Sequence, residues 1–263
     1  MTKYFMYPRK AKQLIYGAGF IAVFGGILAL IIYFLFLKPA PTCFDNIQNQ
    51  NETGVDCGGV CAISCEQKYA QPLVVNFVKK IKDGGNKVIL LAEVKNPNFD
   101  YASDDFVYSF NTYDISGNKI QSITGHSFIY AGETKNLFEV IDADKNEISE
   151  DLTFLQYDWK SKDSFKNPDV EIKSSQVNIN AAGSVYPLTV TGVVKNNDFI
   201  KVSKVILSAF VYDSTGTLAG VSKTELENFN PTDERNFTII FPTDIDTSLI
   251  NQNATKVYVN AIR

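Results

Sequence analysis

Val88-Ile-Leu-Leu-Ala-Glu-Val-Lys-Asn-Pro-Asn-Phe99 reads as a strand followed by a turn, and it returns one hundred residues later as Leu188-Thr-Val-Thr-Gly-Val-Val-Lys-Asn-Asn-Asp-Phe199. A second pair follows at an offset of 99: Phe110-Asn-Thr-Tyr-Asp-Ile-Ser-Gly117 corresponds to Ala209-Phe-Val-Tyr-Asp-Ser-Thr-Gly216. Self-similarity at a fixed period indicates two copies of one structural unit. A unit of about 100 residues fits one antiparallel β-sandwich.

In each copy, apolar residues alternate along the strands, which predicts one buried face per strand. The residues expected to face the cores are Val88, Leu90, Ala92, Val94, Phe106, Tyr108 and Phe110 in the first copy, and Leu188, Val190, Gly192, Val194, Val205, Leu207 and Ala209 in the second. Lys95 and Lys195 occupy the alternate strand positions, so their side chains should point to solvent. We therefore predict an all-β ectodomain of two tandem Ig-like antiparallel β-sandwiches, residues 71–163 and 164–263.

Upstream of the repeat, residues 14–37 form a run of 24 residues without a charge. A helix of that length rises about 36 Å, enough to cross a hydrocarbon core of roughly 30 Å. The preceding segment 1–13 contains no acid and four basic residues, and such a flank should stay cytoplasmic. The four are Lys3, Arg9, Lys10 and Lys12. We predict a single-pass cell-membrane protein whose N-terminus is cytoplasmic and whose residues 38–263 are extracytoplasmic.

A cleavable signal peptide is the alternative to a permanent signal anchor. The apolar region of a signal peptide is normally about 7–15 residues long and ends in small residues, which this run does not. Within the run, Ala18, Ala22 and Gly26 recur every four residues, so a second helix could approach closely on that face and form an oligomer. Small residues are also common in membrane helices that make no such contact.

All four cysteines of the chain lie in the segment 38–70 that follows the apolar run. They are Cys43, Cys57, Cys61 and Cys65. Because disulfides persist outside the cytoplasm, we expect a collar closed by two bridges. Four cysteines permit three connectivities, and the sequence does not choose among them. Zinc is the alternative use of four thiols, but the spacing Cys-x13-Cys-x3-Cys-x3-Cys is a poor match to the usual CxxC pairs.

Three acids of the same segment, Asp45, Glu52 and Asp56, are weak candidates for a calcium site, since calcium takes six to eight oxygen ligands. The chain has no EF-hand spacing, and the alternative is that these acids are solvated in turns. No other residue set in the sequence indicates a metal or a cofactor, so we expect none.

The charge of the chain is strongly asymmetric. Residues 41–263 contain 20 basic and 29 acidic residues, a net charge of −9, whereas residues 1–40 contain five basic residues and no acid. An acidic ectodomain is a poor nucleic-acid binder, so we expect no nucleic-acid partner.

Residues able to do catalysis are few. His126 is the only histidine, and its surroundings lack a nucleophile-elbow pattern. Asp104 and Asp105 are adjacent on a strand and should point to opposite faces. Trp159, the only tryptophan, should pack in the core or between the two sandwiches. We therefore expect a protein that is not an enzyme.

Two resemblances add to these inferences. The stretch Cys43-Phe-Asp-Asn-Ile-Gln-Asn-Gln-Asn-Glu-Thr-Gly-Val-Asp-Cys-Gly-Gly-Val-Cys61 resembles a short cassette of bacterial extracellular and surface proteins. The repeat resembles the FxLYD family of Ig-like domains and the LEA-14-type sandwiches, although the phenylalanine of that pattern, Phe110, is Ala209 in the second copy. At the position of the pattern's leucine, the first copy has Thr112 and the second has Val211. The resemblances imply surface exposure, a sandwich fold and a non-catalytic role.

The sequence thus favours a membrane-anchored bacterial surface protein whose ectodomain binds a protein partner or acts as a spacer. The alternative is a structural subunit of an envelope secretion or pilus-assembly complex, in which the small-residue helix face contacts another subunit. A hydrolase is the third and least favoured hypothesis.

Overall fold

A computed structural model describes residues 8–38, 40–84, 86–181, 184–241 and 245–263. Residues 1–7, which include Lys3 of the predicted basic tail, lie outside the described residues. The chain forms two compact units, residues 1–68 and residues 69–263.

The first unit begins with one long helix. Helix α1 (Arg9–Ile32) continues into a π-helical turn (Tyr33–Leu37), and together they are long and apolar enough to cross a membrane. The helix therefore starts five residues before the uncharged run. Pro8 precedes its first turn, and the lysines and arginine that follow are good helix formers.

The second unit is built from antiparallel strands, as the sequence predicts. A short helix α2 (Cys65–Tyr69) comes before them. The strands are β1 (Val74–Gly84), β2 (Lys87–Lys95), β3 (Tyr101–Tyr113), β4 (Lys119–Ile129), β5 (Thr134–Asp142), β6 (Ser149–Ser161), β7 (Val170–Ile179), β8 (Leu188–Asn196), β9 (Val202–Asp213), β10 (Leu218–Phe229), β11 (Glu234–Ile240) and β12 (Ile250–Ile262). They form four three-stranded sheets.

Each copy pairs two of these sheets. The first sandwich joins sheet β1-β2-β5 to sheet β4-β3-β6, and the second joins β7-β8-β11 to β10-β9-β12. The connectivity is therefore the same in both copies, and the predicted fold class is confirmed. Two tandem antiparallel sandwiches follow one N-terminal apolar helix.

The cores contain the residues that strand alternation predicts. Every residue assigned to the first core is buried there, and the same holds for the second core apart from Gly192. A Cβ at Gly192 would lie 2.6 Å from the ring of Phe237, so the phenylalanine fills the space that a side chain would take. Trp159 packs in the core of the first sandwich and stacks on Tyr157.

A third apolar cluster joins the two sandwiches. It contains Ile89, Leu91 and Phe138 from the first and Phe210 and Val221 from the second. Strand β2 is thus buried on both faces, which explains why its sequence is apolar on both phases. At the matching positions of β8 the chain has threonines, Thr189 and Thr191, and among the described residues no other sandwich covers that outer face.

Candidate functional site

Two disulfides close the collar, one between Cys43 and Cys61 and the other between Cys57 and Cys65. This pairing consumes all four thiols. The sulfurs are therefore not available as thiolates, the form in which cysteine binds zinc.

The three candidate calcium ligands all lie in the collar, and each carboxylate already accepts hydrogen bonds from it. Asp56 accepts the backbone N–H groups of Asp45 (3.0 Å) and Asn46 (3.1 Å), and its carboxylate lies 3.4 Å from the ammonium of Lys68. Glu52 is buried, and its Oε2 accepts the backbone N–H of Asn49 and of Asp56, each at 3.2 Å.

Asp45 accepts from the side chain of Asn49 at 2.9 Å and from two backbone N–H groups, and these bonds hold its pKa below the usual value, the bond from Asn49 most of all. The other oxygen of Glu52 lies 3.1 Å from Sγ of Cys61. The acids thus act as acceptors for the turn-rich backbone of the collar, in addition to the backbone–backbone hydrogen bonds that it forms. Calcium binding here stays a prediction.

The glycines of the collar allow this close packing. Gly59 has φ +58°, and a Cβ there would lie 1.9 Å from the carbonyl oxygen of Asn51. Only glycine fits such an approach. The Gly58-Gly59 pair lies between two cysteines that belong to different bridges, so the turn it makes positions both.

Ala18, Ala22 and Gly26 lie on one side of α1, and all three are exposed in this chain. A Cβ at Gly26 would meet no atom within 4 Å, so the face is open to a neighbouring helix. Its use as an interface stays a prediction.

The residues that looked catalytic are dispersed. His126 is exposed on β4 and its Nδ1 lies 3.1 Å from Asp105. The neighbouring Asp104 lies 3.8 Å from the ammonium of Lys160, and burial raises its pKa. The two aspartates therefore contact different partners, and within the described part of the chain neither is paired with a nucleophile.

A concave surface lies where the two sandwiches meet. We call it the inter-sandwich groove. It encloses about 920 Å³ and is lined by Phe77, Val78, Lys79, Lys80, Ile81, Leu91, Glu93, Asn136, Glu150, Phe210, Tyr212, Gly216, Thr217, Leu218, Lys256 and Tyr258. Its floor is the apolar cluster that joins the sandwiches, and pockets at domain junctions are a common place for ligands.

Aromatic rings and ammonium groups line the walls of the groove. Phe210 and Tyr258 meet edge to face with ring centroids 5.2 Å apart. The ammonium of Lys79 lies 4.6 Å from the ring centroid of Phe77, and that of Lys256 lies 6.0 Å from the ring centroid of Tyr212. Such positions place a cation over the negative face of the ring. Burial raises the pKa of the Tyr212 hydroxyl above its usual value.

The comparisons with known proteins give little help. No protein-family model matches the chain, and no curated protein matches it. Solved structures resemble it only weakly.

A red sea bream transglutaminase matches at 12% identity and a TM-score of 0.23, over 73% of this chain and 31% of that one. A Bacteroides uniformis β-glucuronidase matches at 14% identity and a TM-score of 0.25, over 61% of this chain and 22% of that one. A tandem CBM22 domain of Paenibacillus barcinonensis Xyn10C matches at 9% identity and a TM-score of 0.15, over 73% and 87%. The chain thus spans less than a third of the first two proteins, and TM-scores this low carry no argument about function.

The sequence did not indicate the groove. Its residues come from seven strands and one hairpin, and only the packing of one copy on the other brings them together. One signal was available. The position of Phe210 corresponds to Asn111 in the first copy. Phe210 is therefore an aromatic residue at a strand position whose side chain the alternation predicts to point away from the core.

Proposed function

We propose that this chain is a membrane-anchored bacterial surface protein whose two sandwiches form a non-catalytic binding module. The inter-sandwich groove carries the proposal, because it joins an apolar floor, aromatic walls and two lysines that form no ion pair within the described part of the chain. A site of this kind can hold a ligand, but it offers no nucleophile and general base in contact. The spacer role is compatible with binding, since the apolar cluster fixes one sandwich against the other.

The proposed topology is a cytoplasmic N-terminus and an extracytoplasmic collar and β region. Two features support it. Arg9, Lys10 and Lys12 occupy the N-terminal end of the apolar helix, where a positive flank favours the cytoplasmic side. The disulfides lie directly after the other end of the helix, and disulfides are stable outside the reducing cytosol.

Site-specific photo-crosslinking in intact cells tests the proposal. A photoreactive phenylalanine analogue replaces Tyr258 in the groove, and a matched variant carries it at Tyr186, an exposed tyrosine in a loop of the second sandwich. We expect adducts with one defined envelope component at Tyr258 and none at Tyr186. Equal labelling at both positions, or no adduct at Tyr258, would reject the groove as the binding site and leave the spacer role.

A further inference from the structure

The inter-sandwich groove follows the edge of a strand as well as a face. Five consecutive residues of β1, Phe77 to Ile81, line it. Successive side chains of a strand point to opposite faces of the sheet, so a groove that touched one face would be lined by alternate residues only. A lining of five in succession means that the groove runs beside the backbone of β1.

That backbone is at the end of its sheet. Within the described residues β1 pairs with β2 alone, in the order β1-β2-β5. From Phe77 to Lys82 the pairing advances one residue at a time, and the register shifts occur only before Phe77 and after Lys82. This stretch therefore presents a regular row of N–H and C=O groups to the groove, and an extended chain could pair with it.

The charges beside this edge favour an acidic partner. Lys80 is already bound, since its ammonium lies 3.7 Å from Glu147. Two glutamates, Glu93 and Glu150, also line the groove, so its lining carries three lysines against two glutamates. Glu93 accepts a hydrogen bond from Asn76 at 2.9 Å. Lys79 and Lys256, by contrast, lie over aromatic rings on the two walls and form no ion pair within the described residues. An added strand would find its acidic side chains opposite these two lysines.

We infer that the groove binds a protein partner through an extended acidic segment that adds to β1 as a further strand. The inference rests on the proposed function, because it names the partner of the same groove. The backbone supplies affinity in this mode of recognition, and alternate side chains supply specificity. Phe77 and Lys79 lie on one face of β1, so the side of the added strand that continues this face would carry the acidic side chains and meet Lys79 and Lys256 among the aromatic rings. Its apolar side would continue the opposite face of β1, where Val78 packs on the core of the first sandwich.

Hydrogen exchange on the full chain in lipid nanodiscs tests this inference. The probe is a pool of nine-residue peptides with glutamate at alternate positions and Val, Ile, Thr or Tyr between them. We expect the pool to slow exchange at the backbone amides of Phe77–Ile81. Two control pools each change one feature of the peptides. The first has lysine in place of glutamate, and the second has N-methylated backbone amides, which cannot complete the strand pairing. Neither should protect β1.

Three lysine variants then test the charges. K79E and K256E should each weaken binding of the acidic pool about two- to fivefold, the range of an exposed ion pair. The matched control is K201E, which changes an exposed lysine in the loop before β9. If the acidic pool also fails to protect the β1 amides of K201E, binding depends only on the net charge of the protein, and the inference is overturned.

The remaining outcomes separate this inference from the proposed function. No protection of β1 by the acidic pool, or equal protection by the N-methylated pool, overturns strand addition. If an anionic polysaccharide such as polygalacturonate protects the same amides and the peptides do not, the groove is a glycan site. The binding role would then stand while the peptide inference fails.

Discussion

At the scale of single residues, Lys135 is the most unusual group of the β region. It is 4% exposed, its ammonium donates to the carbonyl of Phe128, and it lies 3.4 Å from the centroid of that phenylalanine ring. Burial lowers its pKa to about 8, and the nearby Glu133 only partly opposes this. Glu133 accepts the backbone N–H of Tyr130 at 2.7 Å and the side-chain amide of Asn260 at 3.0 Å, so the pair lies where the sandwiches meet.

This environment predicts an unusual pH dependence of stability. The folded pKa of Lys135 is below its unfolded value, so between about pH 8 and pH 10 the unfolded chain binds more protons and stability rises with pH. The gain should be about 2 kcal/mol over this window. Above about pH 10 the stability should fall again. Burial raises the pKa of Tyr108 and Tyr130 in the folded chain, so there the unfolded chain loses these protons first. Urea unfolding of the full chain in nanodiscs, followed by the fluorescence of Trp159, measures this stability.

The variant K135M should remove most of the rise between pH 8 and pH 10, since methionine has a similar volume and no titrating group. The matched control K201M alters an exposed lysine and should keep the rise. If the free energy of unfolding of K135M rises with pH between pH 8 and pH 10 as steeply as that of the parent chain, the ammonium of Lys135 does not cause the rise.

Asn96 and Asn196 show what a sequence pattern can and cannot indicate about a residue. The repeated stretch predicted a turn after the strand; Asn96 directly follows β2, and Asn196 is the last residue of β8. Their burial was not indicated: both are fully buried, and each side-chain amide donates to backbone carbonyls on two segments, Tyr101 and Tyr130 for Asn96, Ile200 and Asn230 for Asn196. One acceptor of each asparagine, Tyr130 or Asn230, lies 34 residues away along the chain, so no local pattern identifies it.

At the scale of elements, the small-residue face of α1 makes a prediction. If Ala18, Ala22 and Gly26 pack on another helix, the double variant A22L/G26L should block the close approach of the two backbones. A loss of about 1.4 kcal/mol would lower association about tenfold. Native gels of detergent-solubilised membranes measure the amount of complex. The control I31F adds bulk on the opposite side of the helix, and equal loss in both variants would show that the face is not specific.

The elements themselves could largely be predicted from the sequence, because each follows from a local period. Alternation of apolar residues predicted the inward faces of β2, β3, β8 and β9, and the uncharged run predicted the helix. The pairing of the cysteines could not be predicted, since all three connectivities satisfy the spacing equally well. Their pairing follows from the turns at Gly58-Gly59 and from the carboxylates of Glu52 and Asp56, which bind the collar backbone.

At the scale of the whole β region, the two copies differ on their outer faces in a way that explains their arrangement. Ile89 and Leu91 of the first copy correspond to Thr189 and Thr191 of the second, and Phe210 of the second corresponds to Asn111 of the first. Apolar residues occur on the two faces that meet, and polar residues replace them on the two faces that do not. The two copies therefore differ at the positions that form the apolar cluster between the sandwiches. Periodicity within a single strand could not show which faces would meet.

Exchanging one residue between the copies tests this account of the junction. F210N places the polar residue of the first copy in the apolar cluster, and we expect it to cost about 3 kcal/mol, because it leaves a cavity beside Leu91 and buries an amide. The two sandwiches should then separate, and protease should cut the linker between β6 and β7, residues 162–169, much faster than in the parent chain. In the parent, Phe165 of this linker stacks on Tyr130 at 4.7 Å.

The control I240N makes a similar change at an exposed isoleucine on the outer face of β11, where no sandwich packs, and its linker should be cut at the parental rate. Limited proteolysis of the full chain in nanodiscs, with the cut sites read by mass spectrometry, compares the three proteins. If F210N leaves the linker as resistant as in the parent, the apolar cluster does not hold the sandwiches together. The groove would then lose its fixed walls, and strand addition at β1 would have to proceed without the second sandwich.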